Sequence, residues 1–248
     1  MACENAGRGL PRCTYLVVAC AAFASSAASA GVIIDNFTDT SLTWPFIQNV
    51  VGSNTMMEAG LSGVFGGSRD LTIEAQALGI PGLDVIIIAK APMAGLFDFN
   101  SSAEANGAVS FLYAGGGNLG ADLSAQFQFE VVFTIFDFAG NVPLPVTITL
   151  DDGSNTAMGT AALVAAGAQT LILPFASFAG IGSIDLSSID SIRVDLDAGE
   201  GVDMRISEFR TAIPAPASLA VLGLAALTAR RRRRSSLFPA LNPRQQAG

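Results

Sequence analysis

Alternation of apolar and polar residues is the dominant pattern in the middle of this chain. Segments 71–75, 146–150 and 192–197 each alternate with a period of two, which predicts strands with one buried face. Segment 83–89 is apolar apart from Asp84 and rich in β-branched residues, as expected for a strand buried on both faces. Further strands are predicted at 107–113, 126–136, 169–175 and 202–209. The pattern predicts an all-β fold.

Turn-forming residues separate nearly all of these predicted strands. Segment 151–155 reads Asp-Asp-Gly-Ser-Asn and predicts a tight turn after the strand at 146–150. The alanine-rich stretch 161–168 lacks a polar face, so it is interpreted as strand and hairpin, not helix. Short strands at such intervals are typical of a β-sandwich.

The charge distribution separates a central domain, predicted at 31–212, from the two ends of the chain. The predicted end segments are 1–30 before the domain, and 213–234 and 235–248 after it. Five of the 13 basic residues lie within 31–212, against 20 of the 21 acidic residues. The five are Arg69, Lys90, Arg193, Arg205 and Arg210. The resulting formal charge of −15 for this one domain disfavours nucleic acid as a partner and favours divalent cations.

Cysteine and histidine contribute little to the chemistry of this sequence. The three cysteines, Cys3, Cys13 and Cys20, all precede residue 30, and the chain contains no histidine. A chain processed near residue 30 would lack disulfides, thiolate zinc sites and a Ser-His-Asp triad. We therefore expect no enzyme. A small secreted hydrolase stays open as an alternative, because a glycosidase needs only two carboxylates.

The first 30 residues contain the three parts of a secretory signal peptide. Arg8 and Arg12 supply the positive region, 15–24 the apolar region, and Ala28 and Ala30 the small residues of the cleavage site. The secretion translocon and signal peptidase are therefore expected partners.

The mature chain is expected to begin near Gly31. An uncleaved anchor helix is one alternative, although the apolar run is shorter than the roughly 20 residues needed to span a membrane. Acylation at Cys20, which follows Val-Val-Ala, is another and would give a lipid-anchored protein.

The C-terminal segment joins three features in a fixed order. An extended motif comes first, formed by Pro214, Ala215, Pro216, Ala217 and Ser218. An apolar stretch to residue 229 follows, and it ends in a basic block of Arg230, Arg231, Arg232, Arg233 and Arg234. As a helix the apolar stretch would rise only about 20 Å, short of a hydrocarbon core of about 30 Å. The arginines would hold its end in the cytoplasm, which indicates a short transmembrane stop with a cleavable hinge.

This order of motif, apolar stretch and arginine cluster resembles the PEP-CTERM sorting tail, which exosortase-type transpeptidases recognise. Ala215 stands where the family usually has glutamate, and a further segment at 235–248, expected to be disordered, follows the arginines. The resemblance implies an exosortase-like partner, transient residence in the inner membrane, and then display on the cell surface, the outer envelope or an extracellular matrix. A plain C-terminal membrane anchor is the alternative.

The central domain resembles the β-jelly-roll domains of the galactose-binding-like and carbohydrate-binding-module type. The likeness rests on 33–37 (Ile-Ile-Asp-Asn-Phe), on 66–71 (Gly-Gly-Ser-Arg-Asp-Leu), and on the closing segments 186–194 and 203–209. It implies a jelly-roll β-sandwich, but a fold does not determine a ligand. The expected role is a non-catalytic adhesive or structural one at the surface. The alternative is a carbohydrate-binding module that recognises an envelope or matrix polysaccharide.

Few aromatic residues are available to contact a sugar. Trp44 is the only tryptophan, and Tyr113 is the only tyrosine within 31–212, so these two are the candidate ligand contacts. A core position is the alternative for Trp44. Arg69, after two glycines at the start of a predicted strand, is expected to pair with a carboxylate and to serve the architecture.

Two acidic clusters are candidate sites for a structural Ca²⁺ ion. One contains Asp151 and Asp152, and the other contains Asp195, Asp197 and Asp203. Carboxylate oxygens are the hard ligands that Ca²⁺ prefers. Neither cluster has the spacing of a twelve-residue calcium loop, and acidic turns without a metal have the same composition.

Overall fold

Thirteen strands and two short 3₁₀ turns form the regular structure of the residues that the computed structural model describes, which are 31–39, 46–78, 87–90, 95–102, 105–114, 116–138 and 143–213. The strands are β1 (Ile33–Asp35), β2 (Phe46–Gln48), β3 (Gly52–Ala59), β4 (Ser68–Leu78), β5 (Ile87–Lys90), β6 (Phe97–Ser101), β7 (Ala105–Tyr113), β8 (Gln128–Phe138), β9 (Leu144–Asp151), β10 (Thr156–Leu163), β11 (Gln169–Pro174), β12 (Ser191–Glu200) and β13 (Val202–Ala212). The 3₁₀ turns are Phe65–Gly67 and Phe175–Ser177. All the described residues belong to one compact unit, and none of them lies in a helix long and apolar enough to cross a membrane.

The strands form two antiparallel sheets. The first sheet has the order β11–β8–β13–β6–β5–β2, with β1 paired to β13, and the second has the order β10–β9–β12–β7–β4–β3. Every pairing between these strands is antiparallel. Consecutive strands often change sheet, as β6 and β7, β7 and β8, and β12 and β13 do. The predicted all-β jelly-roll sandwich is confirmed.

One apolar core fills the space between the sheets. Alternate residues point inward on β4, β6, β7 and β8, for example Ile73 and Phe111 from the second sheet and Phe97 and Phe129 from the first, each at most 2 % exposed. Phe97 meets Phe111 edge to face, with ring centroids 4.8 Å apart. Burial of this apolar surface holds the two sheets face to face.

The connection between β12 and β13 carries the chain from the second sheet to the first in a single residue. Gly201 makes the crossing with a φ of +61°, and Gly199 precedes it with a φ of +68°, both in the left-handed region that favours glycine. A register shift in β12 lies between Asp197 and Gly199. Asp197 and Asp203 therefore belong to different sheets, although six residues separate them in the sequence.

Most of the strands predicted from alternation are confirmed. Segments 71–75, 107–113, 146–150, 192–197 and 202–209 lie within observed strands, and those at 126–136 and 169–175 correspond to β8 and β11. The turn at 151–155 and the strand and turn at 161–168 are also present. Of the predicted buried strand 83–89, the described part begins at Ile87 in β5, which pairs with β2 and β6. β1, β2, β3 and β6 were not predicted as strands.

Several predictions fall on residues outside the described ranges. These are the signal peptide with Ala28 and Ala30, the candidate contact Trp44, the sorting motif 214–218, the apolar stretch that follows it, and the basic block 230–234.

Candidate functional site

The outward side chains of the second sheet form a row of five hydroxyl groups and one carboxylate, with one residue from each of its six strands. Strand register places these residues next to one another in the order Thr55, Thr72, Ser110, Asp195, Thr147 and Thr160. The hydroxyl oxygens of Thr55 and Thr72 are 2.8 Å apart, and those of Thr147 and Thr160 are 3.0 Å apart. This hydroxyl row gives the outer face of the sheet many donors and acceptors at regular spacing, because neighbouring strands lie about 4.8 Å apart.

A shallow trough runs along β7 across the middle of this row. Its floor is formed by the small side chains of Ala108 and Ser110, which face outward on β7. Longer side chains rise on both sides because their strands are paired with β7 in register: Glu74 and Asp197 both lie opposite Ala108. The trough has a volume of about 220 Å³. We call it the β7 trough. Its lining residues are Thr72, Glu74, Gln76, Ala108, Val109, Ser110, Arg193, Asp195, Leu196 and Asp197.

The polar groups that line the β7 trough are mostly free to bind a ligand. Arg193 donates to Asp195 over 2.8 Å, and this pair is solvent-exposed. The side chains of Glu74, Gln76 and Asp197 have no hydrogen-bond or ion-pair partner among the described residues. Three carboxylates and one guanidinium give the trough a net negative charge, and carboxylate oxygens and an amide are good partners for uncharged hydroxyl groups.

The first sheet has a comparable groove on its outer face, with a volume of about 190 Å³. Its polar side chains are already satisfied by one another. Arg205 forms a forked salt bridge with Asp98, and Asn100 donates to Asp203. A ligand would have to break these contacts, so the β7 trough is the better candidate site.

A buried ionic cluster lies beneath the second sheet, at the end of the sandwich where β1 enters. The Arg69 guanidinium donates to Asp35 over 2.6 Å and to Glu58 over 2.9 Å, and the Phe37 ring lies 5.5 Å from its central carbon. Arg69, Asp35 and Glu58 are each at most 1 % exposed. The prediction that Arg69 pairs with a carboxylate is confirmed. The cluster ties β1, β3 and β4 together and is closed to any ligand.

The candidate role of Tyr113 in ligand contact is wrong. Its side chain is 0 % exposed, and its hydroxyl donates to Asp35 over 3.0 Å. Burial and the nearby Asp35 carboxylate raise the pKa of the Tyr113 phenol well above its ordinary value, so the hydroxyl stays protonated as a donor. Tyr113 belongs to the ionic cluster because an inward position on β7 points it into the core.

The first predicted calcium cluster is a hydrogen-bonded turn. Asp151 accepts from the backbone N–H of Gly153 over 2.6 Å, and Asp152 accepts from Ser154 over 2.9 Å and from Asp185 over 2.7 Å. These backbone donors, with that of Asp185 first, lower the pKa of Asp152 to about 2. The carboxylate oxygens that were predicted as metal ligands therefore serve to hold the turn.

The second predicted calcium cluster is wrong. Asp195 and Asp197 face outward from the second sheet, whereas Asp203 faces outward from the first. Residues on opposite outer faces of a sandwich cannot ligate one ion. Among the residues that the structure describes, no group of three or more acidic, cysteine or histidine side chains is placed to hold a metal.

Some of the residues that line the β7 trough could be predicted from the sequence pattern. Alternation at 71–75 predicts an outward Thr72 and Glu74, and alternation at 192–197 predicts an outward Arg193 and Asp195. The trough itself depends on β7 lying between β4 and β12 in the sheet, although β12 begins 113 positions after β4 ends. Only the sheet order brings their side chains to the two walls.

No protein-family model matches this chain, and no curated protein matches it. Among solved structures, a family 11 carbohydrate-binding module from Clostridium thermocellum in complex with a β-1,3-1,4-mixed-linked tetrasaccharide is 13 % identical over 75 % of this chain and 98 % of its own, with a TM-score of 0.37. The agarase AgWH50C is 11 % identical over 75 % of this chain and 25 % of its own, with a TM-score of 0.44. This chain also covers 22 % of the length of PfGH50B.

Proposed function

We propose that this protein binds a polysaccharide without cleaving it, through the outer face of the second sheet. The observation that carries the proposal is the β7 trough. Ala108 and Ser110 leave space along β7 for an extended ligand, and Glu74, Gln76 and Asp197 provide hydrogen-bonding groups along its walls. An extended chain of hydroxyl-rich units matches a long, shallow and polar groove better than a compact substrate does.

The hydroxyl row extends the contact beyond the trough on both sides. Thr55 lies beyond Thr72 toward one edge of the sheet, and Thr147 and Thr160 lie beyond Asp195 toward the other. A polysaccharide surface made of many parallel chains could meet such a face over its whole width. Adhesion would then come from many weak hydrogen bonds, which favours the carbohydrate-binding alternative over a purely structural role.

The test is retention of the protein on insoluble neutral polysaccharides, with release of reducing sugar measured in the same samples. Ala108→Leu fills the floor of the β7 trough with a side chain that a strand accepts readily. We expect this variant to bind at least about ten-fold more weakly, a loss that corresponds to about 1.4 kcal/mol. We expect no reducing sugar from any sample.

Ala176→Leu is the matched control, because Ala176 is an exposed alanine in the 3₁₀ turn Phe175–Ser177, outside the second sheet. It should bind as the wild type does. Equal loss in both variants, or no retention of the wild type on any polysaccharide, would contradict the proposal. Release of sugar would contradict its non-catalytic part.

We also propose that the protein is exported and sorted to the cell surface or an extracellular matrix. The support is in the sequence of the two termini: a signal-peptide pattern before Gly31, and the PEP-CTERM-like order of motif, apolar stretch and arginine cluster after Ile213. The intact mass of the protein from its native host tests both. A chain from Gly31 to within 214–218 is expected, whereas a chain that retains Arg230–Arg234 would contradict processing of the tail.

A further inference from the structure

The second sheet ends in two edge strands, β3 and β10, that differ in how they are covered. On β10, the backbone of Met158 both donates to and accepts from Ala179, at 2.9 and 2.8 Å. The segment around Ala179 therefore covers this edge. β3 is paired with β4, and no other described strand is paired with it. Within the described part of the chain, the other edge of β3 has no strand paired with it.

β3 lacks most of the usual protection of an edge strand, and its one charged residue, Glu58, is buried against Arg69. Natural edges are blocked by charged residues, proline, bulges or short length. β3 is eight residues long and pairs with β4 over all eight without a register shift. No charged residue and no proline occurs from Asn49 to Met57. The neutral part of the strand, from Ser53 to Met57, can therefore accept another strand.

Exposed apolar side chains surround the same edge. Met57 is 76 % exposed, and Val50 and Val51, just before β3, are 61 % and 65 % exposed. Apolar groups exposed beside unpaired backbone indicate a surface that is buried in an assembly.

The charge distribution favours a second copy of this chain as the partner of the β3 edge. The domain carries 20 acidic and five basic residues within 31–212, so most contacts between two copies would oppose like charges. The stretch from Asn49 to Met57 is the exception, because it is neutral. Antiparallel pairing of two β3 strands about Thr55 places Ser53 of one copy opposite Met57 of the other and brings no two charges together.

We propose that β3 pairs with β3 of a second copy of this chain, antiparallel and centred on Thr55. The two second sheets become one sheet of twelve strands, and the two hydroxyl rows become one continuous row. Two β7 troughs then lie on the same face. The pairing does not depend on the proposed polysaccharide function, but it would give that function two linked sites.

The first experiment measures the molar mass of the protein from its native host by light scattering, over a range of concentrations. Thr55→Lys places two like charges opposite each other at the centre of the proposed pairing. Thr160→Lys adds the same charge at the other end of the same row, on the covered edge strand β10. We expect the wild type and Thr160→Lys to have twice the mass of one chain, and Thr55→Lys to have the mass of one.

The second experiment tests the register by oxidation. The cysteines of the chain all precede residue 30, so a processed Thr55→Cys variant would carry one thiol. Directly opposed residues of an antiparallel pair have Cα atoms about 4.5–5.5 Å apart, which is within the range of a disulfide. We expect a covalent dimer on a non-reducing gel for Thr55→Cys and none for Thr160→Cys.

Three results would overturn the proposal. The first is a wild type with the mass of one chain at every concentration, as expected if another segment of the chain or a different protein covers β3. The second is a Thr55→Lys variant that keeps the doubled mass. The third is equal crosslinking of Thr55→Cys and Thr160→Cys, which would indicate random collision.

Discussion

Arg69 and Asp35 form a salt bridge of 2.6 Å in which both side chains are at most 1 % exposed, although 34 residues separate them in the sequence. Asp35 is the last residue of β1, and Arg69 is the second residue of β4. The contact therefore joins the first strand of one sheet to a strand of the other. Because Arg69 also pairs with Glu58, loss of Asp35 leaves one buried ion pair, whereas loss of Arg69 would leave two buried carboxylates without a cation.

Asp35→Asn tests the contribution of this contact. The variant keeps the shape of the side chain but removes one of the two carboxylates that pair with Arg69. It also removes one of the two oxygens that accept from Phe37, Arg69 and Tyr113. We expect the free energy of unfolding to fall by about 3 kcal/mol, measured by urea denaturation. Asp98→Asn is the control, since this carboxylate and its partner Arg205 are both partly exposed on the outer face of the first sheet, and it should cost less than about 1 kcal/mol. Similar losses for the two variants would contradict the structural role of the buried pair.

Gly159→Ala tests the close contact between β10 and the Phe178 ring. A Cβ atom at residue 159 would overlap that ring, which is 3 % exposed and part of the core. The ring must move, so we expect a loss of about 2 kcal/mol in the free energy of unfolding. At Gly182 a Cβ atom would meet nothing within 4 Å, so Gly182→Ala should leave stability unchanged. A Gly159→Ala variant as stable as the wild type would show that the core absorbs the methyl group.

The turn at Asp152 predicts a dependence of stability on pH in acid. The pKa of this carboxyl is lowered from 3.8 to about 2 by backbone donors, those of Asp185, Asn155 and Ser154 in that order. The unfolded chain therefore binds the proton at higher pH than the folded chain does. The stabilisation is fully present above pH 3.8 and is lost as the pH falls through about 2. We expect Asp152→Asn to lower the melting temperature at pH 6, and this deficit to shrink toward pH 2. A deficit that is the same at both pH values would contradict the linkage.

The carboxylates of the β7 trough predict selectivity by charge. Glu74 and Asp197 face each other across Ala108, so a polysaccharide made of uronic acids should be repelled. We expect the wild type to bind neutral polysaccharides at low salt and to bind acidic ones at least about ten-fold more weakly. Replacing both with Gln and Asn should reduce this difference. Asp203→Asn, on the outer face of the other sheet, should leave it unchanged, and a tight wild-type complex with an acidic polysaccharide would contradict the prediction.

Strands that alternate between core and solvent could be predicted from the sequence because their pattern reports burial directly. The strand at 146–150 is an example, since its inward residues Val146, Ile148 and Leu150 are each 0 % exposed. β3 escaped prediction for the opposite reason. It is an edge strand with little buried surface, so Gly52–Ala59 has no apolar face to produce a pattern.

The candidate site was less predictable than the fold because it depends on which strands are neighbours. Asp195, Asp197 and Asp203 form a cluster in the sequence, yet the crossing at Gly201 sends Asp203 to the other sheet. Tyr113 was singled out for its residue type, but its position on β7 points it toward Asp35 in the core. Periodicity gives the face of a residue within its own strand and says nothing about the strand beside it.

The pairing of β1 with the end of β13 brings the two ends of the domain together. Thr211 donates its backbone N–H to Val32 and accepts from the Val32 N–H through its hydroxyl, both over 2.8 Å, and Gly31 lies too close to Thr211 for any larger residue. A short linker could therefore join residue 213 to residue 31, with new ends opened in the exposed turn at 164–168. Such a circular permutant would keep every strand pairing. The domain could then be produced without the segments that precede residue 31 and follow residue 213.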